Sequence, residues 1–163
     1  WQVRYNLGLS YLEAGRPADA LGHLENAAAL APESGEAGLA LASAYDQLGR
    51  SASALEAAEA ALPLLADPVL AAQASLVVGR AQYRMGEHAA ALATFESVLA
   101  VQPESAGAQL WAGLSAYALK DYPSAVQYIE RAVQLEPASA EARVNLGAAY
   151  LAAERYQDAE LVY

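Results

Sequence analysis

The chain has 163 residues, 56% of them hydrophobic and only 17% charged, with a formal charge of −10. The acidic balance repels phosphate backbones and argues against a nucleic-acid partner. The lack of cysteine removes disulfides, zinc–thiolate sites and thiol catalysis. With 42 alanines and 24 leucines, the composition is that of an all-α protein. No apolar run approaches the ~20 residues that span a bilayer, so membrane insertion is not expected. The chain opens at Trp1 rather than Met, which fits removal of a leader or an upstream domain. A cytoplasmic location is expected, or a periplasmic or membrane-associated one if a leader has been removed. Eight arginines against one lysine, with this much alanine, point to a GC-rich bacterial genome.

Three series of residues recur at one period. Leu7-Gly8 with Tyr11 returns as Leu41-Ala42 with Tyr45, Val78-Gly79, Ala112-Gly113, and Leu146-Gly147 with Tyr150. Ala20, Ala54, Ala91, Ala125 and Ala159 keep the same spacings of 34, 37, 34 and 34. Pro32, Pro103 and Pro137 form the third series. The repeats therefore run over 1–34, 35–71, 72–105, 106–139 and a truncated 140–163.

Each repeat reads as two helices. In the first, helix A covers about 2–14, Gly15 breaks the chain, and helix B covers about 18–30 from Pro17-Ala18. Equivalent breaks are expected near Gly49, Gly86, Lys120 and Glu154, giving ten helices in antiparallel pairs. Gly8, Ala20 and Ala27, with their copies, are small enough for the paired helices to approach. Tyr11, Leu24 and Phe95 fill the seam to the next repeat. The second repeat carries three extra residues: its helix B should end near Leu62, with Leu64 and Leu65 covering the end. Asp67-Pro68 then reads as an N-cap and first helical residue. The fifth repeat stops within helix B, leaving Tyr156, Leu161, Val162 and Tyr163 on its last face. Exposed ends of this kind fit a fragment with further repeats or a cap, or packing against another copy.

This pattern resembles the tetratricopeptide repeat (TPR) family over the whole chain. The first repeat matches with Leu7, Gly8, Tyr11, Ala20, Leu24 in place of Phe, Ala27 and Pro32. The third matches with Gly79, Ala91, Phe95 and Pro103, and the fourth with Gly113, Ala125, Ile129, Ala132 and Pro137. The family's leading Trp is missing, with Arg4 and Arg143 there in the first and fifth repeats, and the second has Ala42 and Ala58 for Gly and Phe. The resemblance implies a right-handed TPR superhelix, an α-solenoid of four full repeats plus a truncated fifth, forming a single domain.

The chain lacks a phosphate loop and the His-Glu-x-x-His pattern. His23 and His88 read as solvated surface histidines, and Glu25, Glu56 and Glu59 as a solvated face. No enzyme activity, metal or cofactor is expected. The resemblance implies a non-catalytic scaffold that binds a peptide or helix of a partner protein along the concave, helix-A surface. Carried onto this chain, the groove positions include Tyr5, Asn6, Leu9, Arg80, Tyr83, Arg84, Leu110, Trp111, Leu114, Tyr117 and Asn145. Tyr83, Trp111 and Tyr117 suggest aromatic anchors. Arg80 and Arg84, one turn apart, suggest a grip on one carboxylate. The expected partner is an apolar or amphipathic segment with an acidic residue. The clamp of chaperone-binding TPR proteins is absent, since Tyr5, Leu9, Ala40, Gln73 and Val77 hold its positions. Two alternatives are a self-assembling homo-oligomeric platform built through open repeat ends, and a regulatory module of a larger enzyme.

Overall fold

The computed structural model describes residues 1–162; Tyr163, expected on the last face, lies outside the described residues. Among the described residues there are ten α-helices, one short 3-10 turn and no strand. The chain divides into two compact units, one ending at Met85 and the other starting at Gly86.

The first unit holds α1 (Gln2–Glu13), α2 (Pro17–Leu30), α3 (Gly35–Gln47), α4 (Ser51–Ala61) and α5 (Pro68–Arg84). Each helix packs on the next, and α3 also touches α1 and α5. Its core forms two clusters, one around Ala20, Leu24, Ala40 and Ala44, the other around Ala42, Ala54, Ala58, Val77 and Val78. The second unit holds α6 (His88–Val101), α7 (Ala106–Ala118), α8 (Tyr122–Leu135), α9 (Ala140–Ala152) and α10 (Tyr156–Glu160). One cluster that includes Val126, Ile129, Leu146 and Tyr150 ties α7 to α10 together.

The hairpin turns have a common cause. Gly15, Gly49, Lys120 and Glu154 all adopt positive φ, between 60° and 70°. That left-handed residue lets the chain fold back and satisfy the last carbonyls of helix A. The Arg16 amide donates to the Tyr11 carbonyl at 2.8 Å, and Arg50, Asp121 and Arg155 repeat the bond to Tyr45, Ala116 and Tyr150. Lys120 and Glu154 adopt this conformation with a Cβ, which L-residues disfavour. Where α3, α7 and α9 begin, the Ser34, Ser105 and Ser139 hydroxyls accept from the amides three residues on.

Helix pairs cross at small residues. Ala20, Ala54, Ala91 and Ala125 are fully buried. At Gly8 an added Cβ would lie 2.4 Å from the Leu24 side chain, and at Gly113 it would lie 2.4 Å from Ile129. Leu24 thus packs on helix A of its own hairpin. Tyr11 also turns inward to its own hairpin, stacking on His23 with ring centroids 5.7 Å apart. His23 is accordingly half-buried, with Arg4 Nη1 3.1 Å from its Nδ1, rather than a freely solvated histidine.

The extra residues of the second repeat behave as a structural insert. Helix α4 gives way to the 3-10 turn Leu62–Leu64, and Asp67 caps α5 by accepting from the Val69 amide at 2.8 Å. Leu64 and Leu65 press on the start of α3, where a Cβ on Gly35 would lie 2.9 Å from both. Leu64 itself stays 43% exposed.

Candidate binding surface

In the first unit, α1, α3 and α5 place side chains along one wall. Tyr5, Leu9 and Leu12 of α1, Glu36, Leu39, Ala40 and Ser43 of α3, and Leu70 and Gln73 of α5 line a cavity of about 160 Å³. That space suits one large side chain and falls below the usual size of a small-molecule site. Burial, and secondarily the charge of Glu36, push the Tyr5 phenol above its ordinary pKa of 10. Asn6 is exposed on α1 outside this lining.

The other end of α3 carries an ion triad. Asp46, only 6% exposed, receives Arg80 Nη2 at 2.6 Å on Oδ2 and Arg84 Nη1 on Oδ1. Arg80 and Arg84 side chains remain 28% and 35% exposed. The expectation that the two arginines wait for a partner's carboxylate is therefore revised: a carboxylate of the same chain already sits between them. A nearly buried Asp46 requires such pairing, since an isolated charge there would be strongly disfavoured. Tyr83, on the same helix, is half-buried.

In the second unit, Trp111 is half-buried on α7 and stacks on Phe95 of α6, ring centroids 6.3 Å apart. Tyr117 is 38% exposed and meets Tyr122 edge-on at 5.4 Å. Both aromatics thus keep accessible surface, each beside a different ring. Leu114 is half-buried against the core, and Asn145 on α9 donates its side-chain amide to the Glu141 carbonyl at 3.0 Å. Leu110 departs from the expected groove role: at 8% exposure it belongs to the core cluster. Tyr83, Arg80 and Arg84 fall in the first unit, and the other aromatics in the second.

A side-chain network that sequence reasoning missed joins consecutive repeats. Tyr45 donates to Glu25 at 2.9 Å, Tyr150 to Glu130 at 2.7 Å, and Tyr128 to Glu96 at 2.8 Å. The signal was present: Glu25, Glu59, Glu96 and Glu130 hold the same place in each full repeat. Burial, followed by these carboxylate bonds, raises the phenols of Tyr128 and Tyr150 to pKa values of about 12. Arg155 adds a guanidinium 4.5 Å above the Tyr150 ring.

Among the described residues, no group of three or more His, Asp or Glu is placed to hold a metal, and no helix is long and apolar enough to cross a membrane.

Comparison with known proteins places this architecture. A tetratricopeptide repeat family model matches residues 5–75 and 76–137, and a second matches 116–163. No curated protein matches the chain. Among solved structures, the chain is similar to "MamA 41-end from Desulfovibrio magneticus RS-1", with 22% identity and a TM-score of 0.84 over 99% of this chain and 89% of that one. It is likewise similar to Pseudomonas aeruginosa PilF, with 21% identity and a TM-score of 0.81 over 99% of this chain and 72% of that one. These likenesses are of fold. The chain is all-α and belongs to the tetratricopeptide repeat family.

Proposed function

We propose that this chain is a non-catalytic protein-interaction scaffold whose helix-A surface takes a peptide or helix of a partner. The observation that carries the reading is the side-chain-sized cavity among Leu9, Leu12, Leu39 and Leu70. Aliphatic walls, a polar rim and a volume too small for a cofactor suit an anchor residue of another protein. The partly exposed Trp111 and Tyr117 support a second contact of the same kind.

The test compares wild type with Leu9→Ser, Tyr117→Ala and the Trp111→Ala, Tyr117→Ala pair in affinity capture from the source lysate. Circular dichroism checks folding of each. The reading expects one set of proteins to be lost with the folded variants. Equal recovery on all of them would remove these side chains from the binding surface.

Self-association remains a second reading, favoured by one observation. Val3 is 81% and Leu7 40% exposed, two apolar side chains on α1. Light scattering on the purified chain separates the two, because this reading requires a mass that rises with concentration.

A further inference from the structure

The side of α3 turned away from the α1 and α5 wall carries a second groove. Gly38, Leu41 and Tyr45 recur in steps of three and four, so they share one face of the helix. At about 100° per residue, Glu36, Leu39, Ala40 and Ser43 of the wall lie on the opposite face. Around the first face lie two hollows of about 160 and 330 Å³. Leu41, Ala57 and Ala60 line both, so the hollows run into one another. Ala28 of α2, Gly38 and Leu64 also border the first, and Tyr45 and Glu56 the second. The space is open because Ala28, Gly38, Ala57 and Ala60 are too short to fill it. From Ala60 to Ala66 the chain has no polar side chain, yet Ala60, Pro63, Leu64 and Ala66 are exposed. Apolar surface left open beside a groove generally marks an interaction site.

Charge selects the occupant. Between residues 17 and 79 the single Lys or Arg is Arg50, against eight Asp and Glu. Asp19 is taken up by Arg16, and Asp46 by Arg80 and Arg84. Six carboxylates then face one guanidinium, a net charge of −5 over this stretch. At the groove, Glu56 borders the second hollow and Glu25 receives the Tyr45 hydroxyl at 2.9 Å. A second copy of the chain carries the same sign, as does an anionic lipid surface, and both are repelled. A cationic segment is attracted. The floor decides its conformation, because alkyl side chains offer nothing to the backbone of an extended strand. A helix satisfies its own amides and lays one apolar stripe in such a groove.

We propose that the groove bordered by α2, α3 and α4 docks a basic amphipathic helix of a partner protein. Leucine-sized side chains enter the two hollows, and lysine or arginine lies beside Glu25 and Glu56. The site uses the opposite face of α3 from the proposed helix-A groove, so the two stand or fall separately.

The experiment titrates two synthetic amphipathic helices of about 18 residues by fluorescence anisotropy. They share one leucine stripe, flanked by lysine in one and by glutamate in the other. The lysine helix should bind wild type at least about tenfold more tightly than the glutamate helix. Ala60→Trp, which fills the shared part of the groove, should weaken it about tenfold or more. Ala52→Trp, exposed on the same helix and outside both linings, should leave it unchanged. Glu56→Lys should weaken it several-fold and reduce its salt dependence. Circular dichroism verifies folding, and Ala60→Leu stands in should Ala60→Trp not fold. Equal affinity for the two helices, or binding indifferent to Ala60→Trp, overturns the groove. Binding that Leu9→Ser removes and Ala60→Trp does not, or no saturable binding of either helix, also overturns it. Each of these outcomes leaves the helix-A reading standing.

Discussion

The second hairpin, α3–α4, and the fourth, α7–α8, occupy the same place in the repeat and solve the same packing problem in opposite ways. In the fourth, Gly113 leaves a hollow that Ile129 fills so tightly that a Cβ would meet it at 2.4 Å. In the second, the same two places hold Ala42 and Ala58, both fully buried. A large side chain against no side chain, and two methyl groups, both close the crossing. The comparison shows that the repeat conserves the space between helices and leaves its division between them free. The division has energetic weight, since each buried methylene contributes about 0.8 kcal/mol. Elsewhere on α4, away from Ala42 and Ala58, a cavity of about 160 Å³ is lined in part by Ala28, Leu41, Ala57, Ala60 and Ala61.

The comparison can be broken most directly at Ile129. Ile129→Ala should destabilise the protein by about 2–5 kcal/mol in urea unfolding. Gly113→Ala alone should cost about 1–3 kcal/mol through overpacking. The double variant recreates the pair found in the second hairpin. It should unfold with a smaller loss than the two added together, by about 0.5–3 kcal/mol. Strict additivity would show that the two crossings are not interchangeable.

The two hairpins also differ one turn further along. Asp46 in α3 has Tyr117 as its counterpart in α7. Asp46→Asn removes the charge that two partly exposed arginines share, and the expected loss is about 1–3 kcal/mol, read as a lower denaturant midpoint. Tyr117→Asn, at the corresponding and more exposed place, should move that midpoint by less than about 1 kcal/mol.

The turn after α3 is made by Gly49 with φ 70°, whereas the turn after α7 is made by Lys120 with φ 65°. Lys120→Gly should therefore stabilise by about 0.5–1 kcal/mol, and Gly49→Ala should destabilise by a similar amount. Thermal melts of the pair sharpen the comparison, because opposite signs are required.

The smallest effect concerns the tyrosines. In the second hairpin Tyr45 on helix A reaches Glu25. In the fourth Ala116 takes that place, and Tyr128 on helix B reaches Glu96 instead. Tyr128 is raised from 10 to about 12, so the folded state keeps a proton that the unfolded state releases first. Its stabilising bond is fully present below pH 10 and is lost as pH rises toward 12. Tyr128→Phe should flatten the fall in stability over that window, as followed by denaturant titrations at fixed pH.

Much of this architecture was legible in the sequence because a period along the chain fixes place within a helix. Gly15, Gly49, Gly86, Lys120 and Glu154 mark the turns, and Asp67-Pro68 marks the start of α5. What the period does not state is which side chain reaches across to another helix. Arg80 and Arg84 stood among the expected wall positions, yet their pairing with Asp46 depends on how α3 lies on α5. Leu110 shows the same limit, because a half-turn of rotation decides between wall and core. Ser34, Ser105 and Ser139 were readable as caps, each two residues after a proline. The proline drew attention as a stop, and the serine beyond it is the start signal.

Packing in each unit runs from a helix to its neighbour or next neighbour along the chain. Under tension this amounts to a row of springs in series rather than a single latch. A terminal hairpin pulled from the row releases about 34 residues, or roughly 120 Å of slack, and breaks only its contacts with its neighbours. The molecule then lengthens in steps while the remaining hairpins stay folded, as an extensible tether does.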